Sequence, residues 1–219
     1  MTRDNQSPEL FGQTPWQTVG PFFHYGLPWR GGADLLGASD LGARTDLFPE
    51  AHNLLNGPAA KGAVTGERIE IRGRVLDSSG DPVPDAMVEI WQANAAGRYA
   101  NAADEREHLA LDEGFTGFGR CATSAEGEYR FLTVRPGRVP GPGNTLQAPH
   151  IAIGVFGRGL LKRLVTRLYF ADEPSNAEDP VLERVPQDRR ATLIARSVDG
   201  AWRFDIVLQG ENETVFFDI

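Results

Sequence analysis

From residue 67 onward the chain is a succession of short runs in which apolar and polar residues alternate, each closed by glycine, proline, aspartate or serine. RIEIRGRVLD sets Ile69, Ile71, Gly73 and Val75 against Glu70, Arg72 and Arg74. SSGDPVPD then reads as a turn and AMVEIWQA as a second run, with GEYRFLTV, PHIAIGVF, KRLVTRLYF, AWRFDIVLQ and TVFFDI following. A period of two puts successive side chains on opposite faces of an extended strand, and strands without intervening helices must bury their apolar faces against other strands. The expected fold is all-β: an antiparallel β-sandwich with an irregular N-terminal arm and one or two short helices. PQDRRATLIARSV, with Leu193 and Ile194 on an apolar stripe, is the one helical stretch and stands alone.

Residues 1–66 follow no such period. TPWQTVGPFFHYGLPWRGG carries Trp16, Phe22, Phe23, Tyr25 and Trp29 among prolines and glycines. An arm of this composition makes no core of its own, so its aromatic rings must pack on the main domain or on a partner. The expected division is an arm over 1–66 and a β-sandwich domain over 67–219.

Charge and cysteine content narrow the function classes. The 219 residues carry a formal net charge of −8, which opposes sequence-independent binding to nucleic acid or to an anionic membrane. MTRDNQSPEL lacks the basic-then-apolar pattern of a secretory signal, no run approaches the roughly 20 apolar residues of a membrane span, and the expectation is a soluble cytoplasmic protein. Cys121, the single cysteine, has no internal disulfide partner; in GFGRCATS, with no histidine nearby in sequence, it reads as a packed core thiol and not a nucleophile.

The run IRGRVLDSSGDPVPDAMVEIWQANAAGRYA, residues 71–100, resembles the signature of the intradiol ring-cleavage dioxygenases. GFGRC at 117–121, TVRPG at 133–137, APHI at 148–151, TRLYF at 166–170 and WRFDIVLQG at 202–210 agree in order, and TPWQTVGPFFH at 14–24 extends the resemblance over almost the whole chain. The resemblance implies cleavage of a catechol ring by O2 between the two hydroxyl-bearing carbons. The family's iron-holding members use two tyrosines and two histidines around Fe(III), phenolates being hard anionic donors suited to that ion.

The resemblance implies positions for each ligand. One tyrosine follows the Pro-Gly of TVRPG by two places, where this chain has Val139; the histidines form H-x-H, and here His150 is followed by Ala152. The other tyrosine belongs in the loop before GFGRC, where ADEREHLALDEGF has none and Glu107 is the equivalent by length. The chain is therefore expected to hold no metal and to carry no catalytic residue. It reads as the iron-free partner of a homologous, iron-bearing β subunit in a larger αβ assembly, with His150 a structural histidine.

In the resembled two-chain enzymes the site lies where the chains meet, and the iron-free chain lines the substrate pocket. T-x-G-P matches Thr18, Gly20 and Pro21, and F-x-R-G matches Arg158; the resemblance implies that these four touch a catechol acid held by the partner's iron. A glycine–proline wall allows close approach to a flat ring, and arginine is a fixed cation suited to a carboxylate. Along an extended strand Arg158 lies about 26 Å from His150, at about 3.3 Å per residue, too far to serve the same site. Glu105 and Glu107 read as a solvated loop, and Lys162, Arg163 and Arg167 as the exposed face of a strand. The rivals are a non-enzymatic transthyretin-like β module, whose G-x-V-x-D…G-x-P-V pattern covers only one hairpin, and a self-sufficient dioxygenase, which the ligand positions oppose.

Overall fold

The computed structural model describes residues 17–20, 22–49 and 64–218. Eleven strands form among these: β1 (Arg68–Leu76), β2 (Met87–Trp91), β3 (Phe118–Ala122), β4 (Glu128–Val134), β5 (Val139–Pro140), β6 (Leu146–Gln147), β7 (His150–Phe156), β8 (Leu164–Phe170), β9 (Ile194–Val198), β10 (Ala201–Arg203) and β11 (Ile206–Val207). The fold is mostly β, as the alternation demands. On β7 the inward residues Ile151, Ile153 and Val155 are fully buried, and they meet Ile71, Val75, Phe131, Leu168, Phe170 and Ile206 in one core.

The sheet departs from a wholly antiparallel sandwich. β1 pairs in parallel with β10 and with β11, and β8 pairs in parallel with β9, while β1–β4, β2–β3, β2–β7, β7–β8 and β9–β10 are antiparallel. A period of two identifies strands but carries no information on their direction. Here direction follows from a crossover of 3-10 turns between Phe170 and Ile194, which returns the chain so that β9 starts beside the end of β8. The helical stretch expected over PQDRRATLIARSV is one 3-10 turn, Arg190–Leu193, after which Ile194–Val198 is strand, and no α-helix occurs among the described residues. AWRFDIVLQ is split at Phe204–Asp205, and the described residues of TVFFDI, 214–218, form no strand, although the Phe217 amide still donates to the Val165 carbonyl.

The continuous path β11-β1-β10-β9-β8-β7-β2-β3, with β4 on the other side of β1, leaves β3 and β4 as open edges. The arm fills the gap. Gly32 O accepts from the Arg120 amide of β3 at 2.8 Å; Ala33 O accepts from the Leu132 amide of β4, and the Leu35 amide donates back to Leu132 O, each at 2.9 Å. The result is a nearly closed, barrel-like sheet, with Ala33, Leu35 and Leu36 buried inside it. Asp34, fully buried, holds the turn by accepting from the amides of Leu36, Ala38 and Ser39.

Much of the signature is structural. Gln92 donates to Val134 O at 2.8 Å and accepts from the Thr133 hydroxyl at 2.8 Å, tying the end of β2 to β4. Buried Asn94 donates to Ala110 O and accepts from the Arg98 amide, fixing the loop that carries Tyr99.

Candidate functional site

The outward faces of β3, β2, β7 and β8 carry a row formed by Phe118, Trp91, Ala152 and Arg167, in register across the sheet. Beside it opens a cavity of about 570 Å³, lined by Trp91, Tyr99, Arg106, Val139, His150 and Arg167 among others. Each wall has a local cause. Gly97 turns the chain at φ +80°, where an added Cβ would lie 2.1 Å from the Arg138 carbonyl oxygen, so only glycine brings the two loops together. That contact delivers Tyr99, which lies flat against Trp91 with ring centroids 5.9 Å apart and planes 6° apart.

His150 sits at the head of β7, buried, with Nδ1 2.7 Å from the Ala148 carbonyl oxygen. A carbonyl only accepts, so Nδ1 carries the proton and Nε2 keeps its lone pair. Burial, reinforced by the Arg167 guanidinium, lowers the imidazole pKa to about 4 and keeps the ring neutral near pH 7. Arg167 Nη1 donates to Gln147 Oε1 at 2.6 Å and lies 3.4 Å from the Tyr169 hydroxyl, which itself bonds Asp179 at 3.0 Å. Arg106 is paired with Asp104 at 2.6 Å, and this bond holds the Asp104 carboxyl well below the usual carboxylate range. Burial raises the Tyr99 phenol above its ordinary value.

These residues do not fit a ferric ion. Val139 and Ala152 donate nothing, and Arg167 places a fixed positive charge beside the remaining donors, His150 and Tyr99. Exposed Glu107 does not line the cavity; Arg106, one residue earlier, does. One expectation is corrected at this point: Arg167 is half-buried in the cavity wall and not on an exposed face, whereas Lys162 and Arg163 are exposed, Arg163 with its guanidinium 5.8 Å from the Phe156 ring centre. Sequence reading missed Tyr99, Trp91 and Arg167 as one cluster. Tyr99 lay inside the quoted signature, but the Ala152–Arg167 register is a pairing between strands that no local pattern announces.

At the other end of β7 the loop after Phe156 carries Arg158, 3.1 Å from Asp85, with its side chain 62% exposed. The Gly159 amide donates to the Thr18 hydroxyl at 2.8 Å, so Thr18 is docked beside Arg158. Gly20 is exposed with nothing within 4 Å of where a Cβ would stand. Pro21 and Trp16 lie outside the described residues. A further cavity of about 580 Å³ borders Gly73, Cys121, Tyr129 and Arg130, but its groups are committed. The Tyr129 hydroxyl donates to Phe204 O at 2.5 Å, and burial pushes the Cys121 thiol up to about 12, which agrees with a core thiol.

The family model Dioxygenase matches residues 46–210. The chain is 42% identical over 216 residues to the protocatechuate 3,4-dioxygenase alpha chain of Burkholderia cepacia, spanning 94% of this chain and 98% of that one. This chain belongs to the intradiol dioxygenase family. Within that family, the Pseudomonas putida alpha chain is 43% identical over 96% of this chain and 98% of its own, and the Burkholderia cepacia beta chain is also 43% identical, over 83% and 79%. Identity alone therefore does not separate the two chain types; full-length coverage favours the alpha kind. Among solved structures, the dioxygenase domain of a dioxygenase–carbohydrate-binding fusion from Streptomyces sp. SirexAA-E superposes with TM-score 0.53 at 25% identity, covering 90% of this chain and 99% of that one.

Proposed function

We propose that this chain is the iron-free α-type partner in a protocatechuate 3,4-dioxygenase, working with a homologous β chain that holds Fe(III) and supporting cleavage of protocatechuate by O2 to 3-carboxy-cis,cis-muconate. The observation that carries the reading is the cavity at the head of β7, where Val139 and Arg167, the latter paired across the sheet with Ala152, stand beside the donors His150 and Tyr99. The partner's iron supplies the activation of the catechol toward O2. This chain's own residues bind and orient. Thr18, Gly20, Pro21 and Arg158 form the proposed wall of the partner's pocket, with Arg158 placed for the ring carboxylate and the glycine–proline backbone for the flat face of the ring. Docking of Thr18 on Gly159 supports that grouping, since it brings two segments far apart in sequence to one edge. Their contribution is positioning and exclusion of water, with no proton transfer assigned to them. The non-enzymatic transthyretin-like reading is disfavoured by similarity that runs the length of the chain.

Expressed alone, the chain is expected to be colourless and to purify without stoichiometric iron, since a ferric phenolate absorbs visible light. Co-expressed with a β chain carrying P-G-x-Y and H-x-H, it is expected to co-purify as a coloured complex that consumes O2 with protocatechuate. A visible charge-transfer band and one iron per isolated chain would overturn the reading.

A further inference from the structure

The cavity at the head of β7 has no task in the proposed reaction, yet its polar groups are arranged for a ligand. We propose that the pocket formed by Tyr99, His150 and Arg167 is a second, non-catalytic binding site, which takes a hydroxylated aromatic carboxylate. Three features of its wall specify that class.

The first is charge. Arg167 has two partners among the described residues, the neutral Gln147 amide oxygen at 2.6 Å and the Tyr169 hydroxyl at 3.4 Å, and no carboxylate within ion-pair distance. Arg106 in the same cavity and Arg120 on the same sheet face are instead satisfied by Asp104 at 2.6 Å and Glu89 at 2.5 Å. A guanidinium with N–H groups to spare, in a half-buried wall, is complementary to a carboxylate that accepts two of them. The second is the acceptor on His150. With Nδ1–H committed to Ala148 O, Nε2 presents a lone pair that no donor among the described residues uses, and the ring stays neutral until the pH nears 4. A phenolic hydroxyl would donate to it. The third is shape: Tyr99, stacked on Trp91, makes a flat aromatic wall, and a cavity of about 570 Å³ lies within the usual range for small-molecule pockets, about 300–1,000 Å³. The acidic groups nearby do not cancel the cation: Asp104 is engaged by Arg106, buried Asp179 by the Tyr169 hydroxyl and the amides of Ala148, Val181 and Leu182, and Glu105 is exposed.

The test uses the full chain alone and 4-hydroxybenzoate, a ring acid with one hydroxyl that cannot chelate iron. Calorimetry is expected to give one saturable site per chain. Benzoate, lacking the hydroxyl, and 4-hydroxybenzamide, lacking the charge, should each bind about tenfold more weakly or worse, a loss in line with one strong hydrogen bond. Arg167→Gln should abolish the preference for the acid over the amide. No saturable binding, equal binding of 4-hydroxybenzoate and 4-hydroxybenzamide to the parent chain, or an unchanged preference in a folded Arg167→Gln variant would overturn the proposal. The ligand comparison needs no mutant, so it stands even if that variant fails to fold. Because the assay requires neither iron nor a partner, its failure leaves the proposed α role untouched, and failure to assemble with a β chain leaves this site untouched.

Discussion

At the scale of single residues, Arg158 is where the proposed role and a plain structural role make different predictions. Its guanidinium is 62% exposed and 3.1 Å from Asp85, an ion pair of a kind that contributes about 0–1 kcal/mol to stability. If that pair were its whole purpose, Arg158→Ala and Asp85→Asn would behave alike and both nearly silently. The proposed placement against the partner's substrate predicts otherwise. In the assembled enzyme Arg158→Ala should lower kcat/KM for protocatechuate at least tenfold with bound iron unchanged, while Asp85→Asn keeps the cation and most of the activity. Lys162→Ala, which removes an exposed contact with Asp218, is the silent control. Steady-state kinetics normalised to iron checks this; equal kcat/KM for Arg158→Ala and the parent would remove Arg158 from the pocket wall. Legibility at this scale was uneven. His150, Ala152 and Val139 could be found because each sits at a fixed offset from a quoted motif. Arg167 could not, because its neighbour across the sheet is fifteen residues away and is set by strand register.

At the scale of elements, the long strands β1, β2, β4, β7 and β8 were legible, whereas β3, β9 and the parallel pairings were not. Burying alternate residues of β7 and β1 stabilises the core by about 1.5–3 kcal/mol for each large apolar side chain, so the period of two is enforced in the sequence. Whether the next strand returns parallel or antiparallel is decided by the connection, and the 3-10 crossover into β9 leaves only a weak trace in composition. The 95–99 turn is the converse case, where one glycine decides an element. At φ +80°, with a prospective Cβ 2.1 Å from the Arg138 carbonyl, Gly97→Ala must move backbone. The expected result is a loss of about 1–3 kcal/mol in chemical denaturation, together with loss of the Tyr99–Trp91 stack in near-ultraviolet circular dichroism. Unchanged stability with an intact aromatic signal would mean that the two loops are less tightly joined than their contact implies.

At the scale of the whole molecule, the arm contains two kinds of residue that composition alone did not separate. Ala33, Leu35 and Leu36 are buried between β3 and β4 and complete the sheet, so they belong to the fold. Phe22 and Tyr25 are 73% and 65% exposed, and their rings stack on each other at 6.0 Å, which leaves aromatic surface uncovered in the single chain. Exposed aromatic pairs of this kind are typical of surfaces that a partner covers. Two truncations separate the roles. Deleting residues 1–25 spares the sheet-closing segment, so the chain should still fold with a melting temperature near that of the parent, but it should no longer co-purify with the β chain. Deleting residues 1–36 strips the buried side chains of Leu27, Ala33, Leu35 and Leu36 and reopens the edges of β3 and β4, so it should lower the melting temperature steeply or leave the chain insoluble. Thermal melts of both, paired with co-purification from cells expressing the β chain, distinguish assembly from folding. A shorter truncation that still yields a fully active complex would assign the arm to neither catalysis nor assembly before residue 26, and would remove Thr18, Gly20 and Pro21 from the proposed pocket at the same time.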